Sequence, residues 1–293
     1  MNEQDSTPLV SVIIPAYNEA ETLPELISSL RGQDYPPDKI EILIVDNNST
    51  DNTEEIIRGQ GLTYLCEKTP SNSYAARNRG IENSNGEVLA FTDGDCRVDR
   101  EWIKQGVKCL RENDADMAAG HSVYEVPEKS ISGRYSRSSF GRQKLMVESI
   151  GGCATNNLFM TRKVVEKMGG FDQRFNYGGD THYTSRASAN GFRMVYCPNT
   201  RIYHAAHAGL KEISKKWWRY GFASSLKVFY AGQDGYAFKQ WRWYVPGMRR
   251  LWEFRQDERL GNLETFKAFF IVWMTKLAYV KGSYEGYQNC RKP

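Results

Sequence analysis

Short apolar runs alternate with helical patterns over the first 111 residues of this 293-residue chain. Leu9-Val10-Ser11-Val12-Ile13-Ile14 is apolar and β-branched, and predicts a strand that Pro15 ends. Leu23, Leu26, Ile27 and Leu30 then recur on one helical face. The run Ile40-Glu41-Ile42-Leu43-Ile44-Val45 predicts a second strand, and Leu62-Thr63-Tyr64-Leu65 a third. Between them residues 53–58 suit a short helix, and residues 73–83 suit another after the third strand. Glu87-Val88-Leu89-Ala90-Phe91-Thr92 reads as a buried strand, followed by a helix over residues 100–111. Strands that alternate with helices predict βαβ units and a mostly parallel sheet. Neither GxGxxG nor GxxxxGK[ST] follows the first strand, which disfavours a dinucleotide-binding dehydrogenase and a P-loop enzyme.

From about Asp116 the pattern is mixed. Residues 130–149 predict a polar, basic loop and helix, and Gly151 to Asn157 a glycine-rich turn before the strand-like Leu158-Phe159-Met160. A short helix over residues 164–168 is stopped by Gly169-Gly170, and a helix over residues 180–190 by Gly191. Residues 193–196 predict a strand, and Arg201-Ile202-Tyr203 is strand-like. The tail predicts amphipathic helices over residues 211–230 and 263–280.

Charge divides the chain at the same place. The whole carries +4, but from His207 onward there are 16 Lys/Arg against 7 Asp/Glu, about +9, leaving about −5 before it. Six of the seven tryptophans (217, 218, 241, 243, 252 and 273) lie in that tail. Lys215-Lys216-Trp217-Trp218-Arg219-Tyr220 and Trp241-Arg242-Trp243-Tyr244 combine cations with aromatic rings, as helices in the headgroup region of an anionic membrane do. The alternative is helices that pack on the catalytic core or on a second subunit, which would make a homodimer. Scattered basic residues without a recognised module argue against nucleic acid. The acidic start Met1-Asn2-Glu3-Gln4-Asp5 has no apolar segment of a signal peptide, and no apolar run reaches 18 residues. The six cysteines form no CxxC pair, so reduced thiols in a cytoplasmic protein are expected.

Asp93-Gly94-Asp95 is the most informative tripeptide. Two carboxylates spaced i, i+2 at the carboxyl end of a strand make a compact oxygen site suited to Mg²⁺ or Mn²⁺ shared with phosphate. An acidic turn is the competing account. Asp46-Asn47-Asn48-Ser49-Thr50-Asp51 ends the second strand and offers groups for a base or ribose, or an Asx-turn cluster. Tyr17 is a candidate stacking surface. Arg77 suits a diphosphate, or a solvated helix face. Asp180, after Gly178-Gly179, fits a helix N-cap or an ionised general base. His204 and His207 suit a metal, a phosphate or a structural role.

In order, Val12-Ile13-Ile14-Pro15-Ala16-Tyr17-Asn18-Glu19, Val45 to Asp51, Ala76-Arg77-Asn78, Phe91-Thr92-Asp93-Gly94-Asp95-Cys96, Asn156-Asn157-Leu158-Phe159, Gly169-Gly170-Phe171-Asp172, Gly178-Gly179-Asp180 with Arg186, and Tyr203-His204 resemble family 2 glycosyltransferases of the GT-A fold. The resemblance covers residues 9–207. It implies an α/β fold with a Rossmann-like, mostly parallel central sheet flanked by helices. The catalytic domain would span residues 1–207, with a nucleotide-sugar half over about 9–120 and an acceptor half over about 121–207. Residues 208–293 would form an amphipathic helical extension.

The resemblance also implies roles. Pro15, Ala16, Tyr17, Glu19, Asp46 and Asn48 would hold the nucleobase and ribose, and Arg77 the diphosphate. Asp93, Gly94 and Asp95 would form the ribose–metal centre, with Asp95 and His204 as ligands of Mn²⁺ or Mg²⁺. Asp180 would be the catalytic base. Asn156, Asn157, Gly179 and His182 would lie on the acceptor side. The family commonly has Gly-Glu-Asp-x-Asp where this chain has Gly178-Gly179-Asp180-Thr181-His182, a departure that suggests an unusual acceptor. A Gln-x-x-Arg-Trp block of processive synthases is not evident, which favours single-sugar transfer. The implied function is an inverting, metal-dependent transfer from a nucleoside diphosphate sugar, a UDP-sugar first, to a glycan or lipid-linked acceptor in glycan, polysaccharide or glycolipid biosynthesis. The implied location is cytoplasmic, peripheral on the inner face of the cell membrane. A nucleotide-sugar-binding protein without turnover is the alternative.

Overall fold

The structure is a computed structural model that describes residues 7–69, 72–126, 130–205, 209–233, 235–245 and 247–291. His207 lies outside the described residues. The chain forms two compact units, Met1–Val123 with Gln143–His204, and Tyr124–Arg142 with Ala205–Pro293.

The first unit is built on an eight-stranded sheet. Its strands are β1 (Val10–Ala16), β2 (Ile40–Asp46), β3 (Tyr64–Cys66), β4 (Val88–Thr92), β5 (Cys96–Val98), β6 (Met117–Glu125), β7 (Asn157–Thr161) and β8 (Met194–Ala205), in the order β3-β2-β1-β4-β7-β6-β8-β5. β1 pairs in parallel with β2 and β4, and β2 with β3. From β4 onward the pairings are antiparallel, β4 with β7, β7 with β6, and β8 with β5. The parallel half is the one whose βαβ rhythm is legible in sequence.

Helices α1 (Leu23–Arg31), α2 (Thr53–Gly59), α3 (Ser73–Glu82) and α4 (Trp102–Glu112) follow β1, β2, β3 and β5. Leu23, Leu26, Ile27 and Leu30 of α1 are all buried, against a core of Val10, Val12, Ile14, Ile44 and Ala90 among others. Pro15 does not end β1. The register with β4 stops at Ile13, whereas that with β2 continues through Pro15 and Ala16. Beyond Ile13 one side of β1 is therefore an edge, where the missing proline N–H leaves no ladder bond unmade. The two strand-like runs near residues 193 and 201 are one strand, β8, which passes through Pro198. β6 escapes the sequence pattern because it opens Met117-Ala118-Ala119-Gly120, small residues of low strand propensity. A Cβ at Gly120 would overlap the Asn157 side-chain amide.

Cys109 of α4 and Cys197 of β8 are joined by a disulfide. The expectation that every thiol is reduced fails at this pair, because sheet and helix bring together two cysteines 88 positions apart. Cys66, Cys96, Cys153 and Cys290 are free.

Helices α6 (Gln143–Ile150), α7 (Arg162–Met168) and α8 (Gly179–Ala189) also belong to the first unit, and the second contains α5 (Ile131–Ser139), α9 (Leu210–Tyr230), α10 (Met248–Asp257) and α11 (Asn262–Cys290). Tyr124, Tyr135 and Phe140 share an apolar cluster in this unit with Ile213, Leu251, Phe254 and Ile271. Arg134 joins α5 to Glu258 and to Glu264 Oε1, the latter at 2.8 Å. No described helix is long and apolar enough to cross a membrane.

Candidate active site

The carboxyl ends of β1, β2 and β4 carry the three polar turns. The turn after β1 is fastened to the turn after β2. The Asn18 N–H donates to Ser49 Oγ at 2.9 Å, the Thr50 N–H to Asn18 Oδ1 at 2.8 Å, the Glu19 N–H to Thr53 Oγ1 at 2.9 Å and the Ala20 N–H to Asp51 Oδ2 at 3.1 Å. Asn18 and Asn48 adopt positive φ of 55° and 65°, a region that asparagine tolerates. Much of the polar cluster 47–51 thus holds loops together. Asp46 is buried, accepting from the Ser49 N–H at 3.0 Å and from the Tyr64 hydroxyl at 2.8 Å. Pro15 and Ala16 are buried in the strand, and the Ala16 carbonyl accepts from the Asn47 N–H. Tyr17 is 53% exposed, so its ring is open to a planar ligand.

Asp93-Gly94-Asp95 forms a tight turn between β4 and β5, closed by the Cys96 N–H donating to the Asp93 carbonyl. The antiparallel register pairs Cys96 with His204. That pairing sets His204 Nε2 3.2 Å from Asp95 Oδ2. Ligand atoms of Asp95, Cys96 and His204 lie within 4.8 Å of one another. In the metal-free protein burial, and then the charges of Asp93 and Asp95, push the Cys96 thiol well above its ordinary range. A carboxylate with an imidazole is a donor set that a divalent cation such as Mn²⁺ accepts.

Asp93 points to a different partner. Its Oδ1 accepts from Arg77 Nη2 at 2.6 Å, and the Arg77 side chain is almost fully buried. Arg77 therefore reaches the turn through Asp93. Glu19 lies over the same turn, close enough that a Cβ at Gly94 would sit 3.0 Å from Glu19 Cγ. Burial, with the charges of Asp95, Asp93 and Asp51, raises the Glu19 carboxyl to about 7 despite a hydrogen bond from Thr22.

Asp180 stands in the first turn of α8 (Gly179–Ala189), where a helix N-terminus favours a negative charge. Its Oδ1 accepts from the Thr181 N–H at 2.8 Å and faces the Tyr74 hydroxyl at 3.4 Å, and its Oδ2 faces the Thr155 N–H at 3.4 Å. Tyr74 and Arg77 are one turn apart on α3, so one helix touches both Asp180 and Asp93. Tyr74 was not singled out in sequence, although it sits three residues before Arg77. His182 stacks on Phe175 with ring centroids 4.7 Å apart.

Asn157, expected on the acceptor side, is wholly buried. Its Oδ1 accepts from Trp102 Nε1 at 2.9 Å, and its Nδ2 donates to the His121 and Thr200 carbonyls. Four elements meet at this one amide. Asn156 is also buried, contacting Ser122 and Gln143.

The model of the family described as "Glycosyl transferase family 2" matches residues 11–169, more than half of the chain. The chain belongs to glycosyl transferase family 2. The glycosyltransferase AglE of Haloferax volcanii is 37% identical over 220 residues, 73% of this chain and 72% of the relative. A dolichyl N-acetyl-α-D-glucosaminyl phosphate 3-β-D-2,3-diacetamido-2,3-dideoxy-β-D-glucuronosyltransferase of Methanococcus voltae is 22% identical over 237 residues, 75% of this chain and 74% of that one. Among solved structures, a mannosyltransferase of Pyrobaculum calidifontis in complex with GDP-Man and Mn²⁺ matches with a TM-score of 0.66 at 19% identity, covering 99% of this chain and 89% of that one. The shared fold is GT-A, and this protein is a glycosyltransferase that acts in glycan biosynthesis. Binding without turnover is thereby set aside.

Proposed function

We propose that this glycosyltransferase moves one sugar from a nucleoside diphosphate sugar, a UDP-sugar first, to a hydroxyl of a glycan or lipid-linked acceptor, with inversion. The observation that carries the reading is the junction of α3 with two carboxylate sites, Arg77 on Asp93 of the strand-end turn and Tyr74 on Asp180. The exposed Tyr17 ring supports stacking on the base, and Asp46 and Asn48 border the same sheet edge. Asp95 and His204 would hold Mn²⁺ or Mg²⁺, which offsets charge on the leaving diphosphate when bound. Arg77 holds Asp93 in place, and we extend its role to electrostatic support of the diphosphate. Asp180 takes the proton of the attacking hydroxyl. Inversion follows from attack opposite the leaving group in one step.

A lipid-linked acceptor has two supports. The Methanococcus relative bears the name of an enzyme acting on a dolichyl-phosphate-linked sugar. The second is α11. Over residues 262–277 the exposed positions are Asn262, Leu263, Phe266, Lys267, Phe270, Trp273, Met274 and Leu277, with Phe266 63% exposed. Between Glu264 and Glu285 the helix has no acidic residue and three lysines, 267, 276 and 281. Tyr244, Val245, Met248 and Trp252 are exposed nearby, since Trp273 Nε1 donates to the Tyr244 carbonyl. An apolar face without acids and with a cationic rim matches the headgroup region of an anionic bilayer. A second copy of the chain on this face would bring like charges together.

The deciding experiment is donor turnover across UDP-, GDP-, dTDP- and CMP-sugars, with and without Mn²⁺. Release of one nucleotide, dependent on metal, supports the reading and identifies the donor; release undiminished by chelator refutes the metal role. Flotation with phosphatidylglycerol vesicles tests the membrane face. Loss of flotation in Phe266→Ser/Phe270→Ser/Leu277→Ser supports it, and absence of wild-type flotation refutes it.

A further inference from the structure

Asp180 is flanked by Gly179, and the two meet Tyr74. Glycine at 179 leaves no side chain beside Asp180, but the space is not open. A Cβ built there would lie 2.9 Å from the Tyr74 ring and 3.0 Å from Phe175 Cβ. Tyr74 is 5% exposed, and its ring packs near Phe171. Its hydroxyl accepts from the Gly179 N–H at 2.9 Å and stands 3.4 Å from Asp180 Oδ1 as a donor. The tyrosine is held from its own helix as well. Asn72 caps α3 by accepting from the Tyr74 and Ala75 N–H groups, and its Nδ2 donates to the Gln173 carbonyl.

From this arrangement we infer that Tyr74 is the positioning residue for Asp180, filling the space against Gly179 and fixing the carboxylate through its hydroxyl. The inference rests on the reading of Asp180 as the base. Among the described residues Oδ1 then has two donors, the Thr181 N–H and the Tyr74 hydroxyl, and Oδ2 has the Thr155 N–H at 3.4 Å. Oδ2 is the more open oxygen and is the one assigned to receive the acceptor proton. Burial and the Asp180 charge raise the Tyr74 phenol far above its ordinary value, so the hydroxyl keeps its proton and remains a donor wherever Asp180 is ionised. Because Arg77 lies one turn further along α3, the helix that orients the base also carries the residue holding Asp93.

Tyr74→Phe preserves the ring and removes only the hydroxyl. Expected is a fall in kcat of about ten- to hundredfold, the range for small misplacements of a reacting group. Donor affinity, read by nucleotide-sugar titration with Mn²⁺, should stay within about twofold, since uniform binding is untouched. In an Asp180→Asn background the same change should cost nothing further, because the two groups act as a unit. A Tyr74→Phe enzyme with wild-type kcat, or an undiminished loss in the Asp180→Asn background, overturns the inference. A near-wild-type Asp180→Asn enzyme instead overturns the base reading itself. Crystal structures of wild type and Tyr74→Phe provide a readout that needs no acceptor: a rotated Asp180 carboxylate is expected, and an unmoved one refutes the positioning role.

Discussion

Asp95 and His204 meet at 3.2 Å because Cys96 and His204 are register partners in the β5–β8 ladder. A three-residue strand, Cys96–Val98, is what carries the strand-end turn to a histidine from the far end of the described catalytic unit. The consequence is testable. Asp95→Ala should abolish metal-dependent donor binding, and His204→Ala should weaken it by at least about tenfold, the lower bound even for groups that only support a ligand. Calorimetric titration of Mn²⁺ with nucleotide checks both. A His204→Ala protein with wild-type Mn²⁺ affinity would remove the imidazole from the proposed ligand set.

Asn157 yields a prediction about stability. It satisfies the Trp102 indole and the His121 and Thr200 carbonyls from a site with no solvent access. Asn157→Ala leaves these groups without their partner, and each buried unsatisfied group costs about 1–3 kcal/mol. The expected loss is about 3 kcal/mol or more, and Tm should fall by about 2–4 °C per kcal/mol. Denaturant unfolding of the variant decides it. A loss below about 1 kcal/mol would mean that water enters and replaces the amide.

These residues also show what could be read from sequence. β1, β4 and α1 follow most directly from local sequence, because the two strands are buried along their whole length and the helix buries one apolar side. The motif blocks were legible as an order, but not as contacts. Asn78 and Phe171 exchange hydrogen bonds, Nδ2 to the Phe171 carbonyl at 2.9 Å and the Phe171 N–H to Oδ1 at 2.8 Å. Gly170 must be small because a Cβ would come 2.6 Å from Asn78 Oδ1. Two blocks that look separate are therefore one tertiary joint. An asparagine in a motif carries no sign of its burial, so the packing role of Asn157 was not legible. Tyr74 and the Cys109–Cys197 bond depend on long-range packing, which spacing does not encode.

Glu19 gives a pH dependence. Its carboxyl is raised from an ordinary 4.5 to about 7, chiefly by burial and then by neighbouring acids. A carboxyl whose folded value exceeds its unfolded value costs stability when ionised. Below about 4.5 both states are protonated and nothing is lost; the cost grows through the interval and is complete above about 7. Glu19→Gln should therefore raise Tm of the metal-free protein at pH 8 and leave it unchanged near pH 4.5. Thermal melts at the two values check this. An equal gain at both would assign the effect to something other than titration.

The close approach of α9 and α11 makes a prediction about the second unit. A Cβ on Gly282 would run into the Trp218 carbonyl oxygen, and one on Gly221 into that of Tyr279. Ser225 Oγ and Ser283 Oγ lie 2.8 Å apart in the same seam. Small residues let the two backbones touch, as at close helix crossings generally. Backbone atoms cannot rotate away as a side chain can, so Gly282→Ala must separate the helices and should cost about 1–3 kcal/mol. Gly59, the last residue of α2, is the matched control: a Cβ there has no neighbour within 4 Å. Gly59→Ala should be neutral or stabilising by up to about 1 kcal/mol through helix propensity. Denaturant unfolding of the two variants separates a packing effect from a general intolerance of alanine, and a Gly282→Ala protein as stable as wild type would show that the seam has slack.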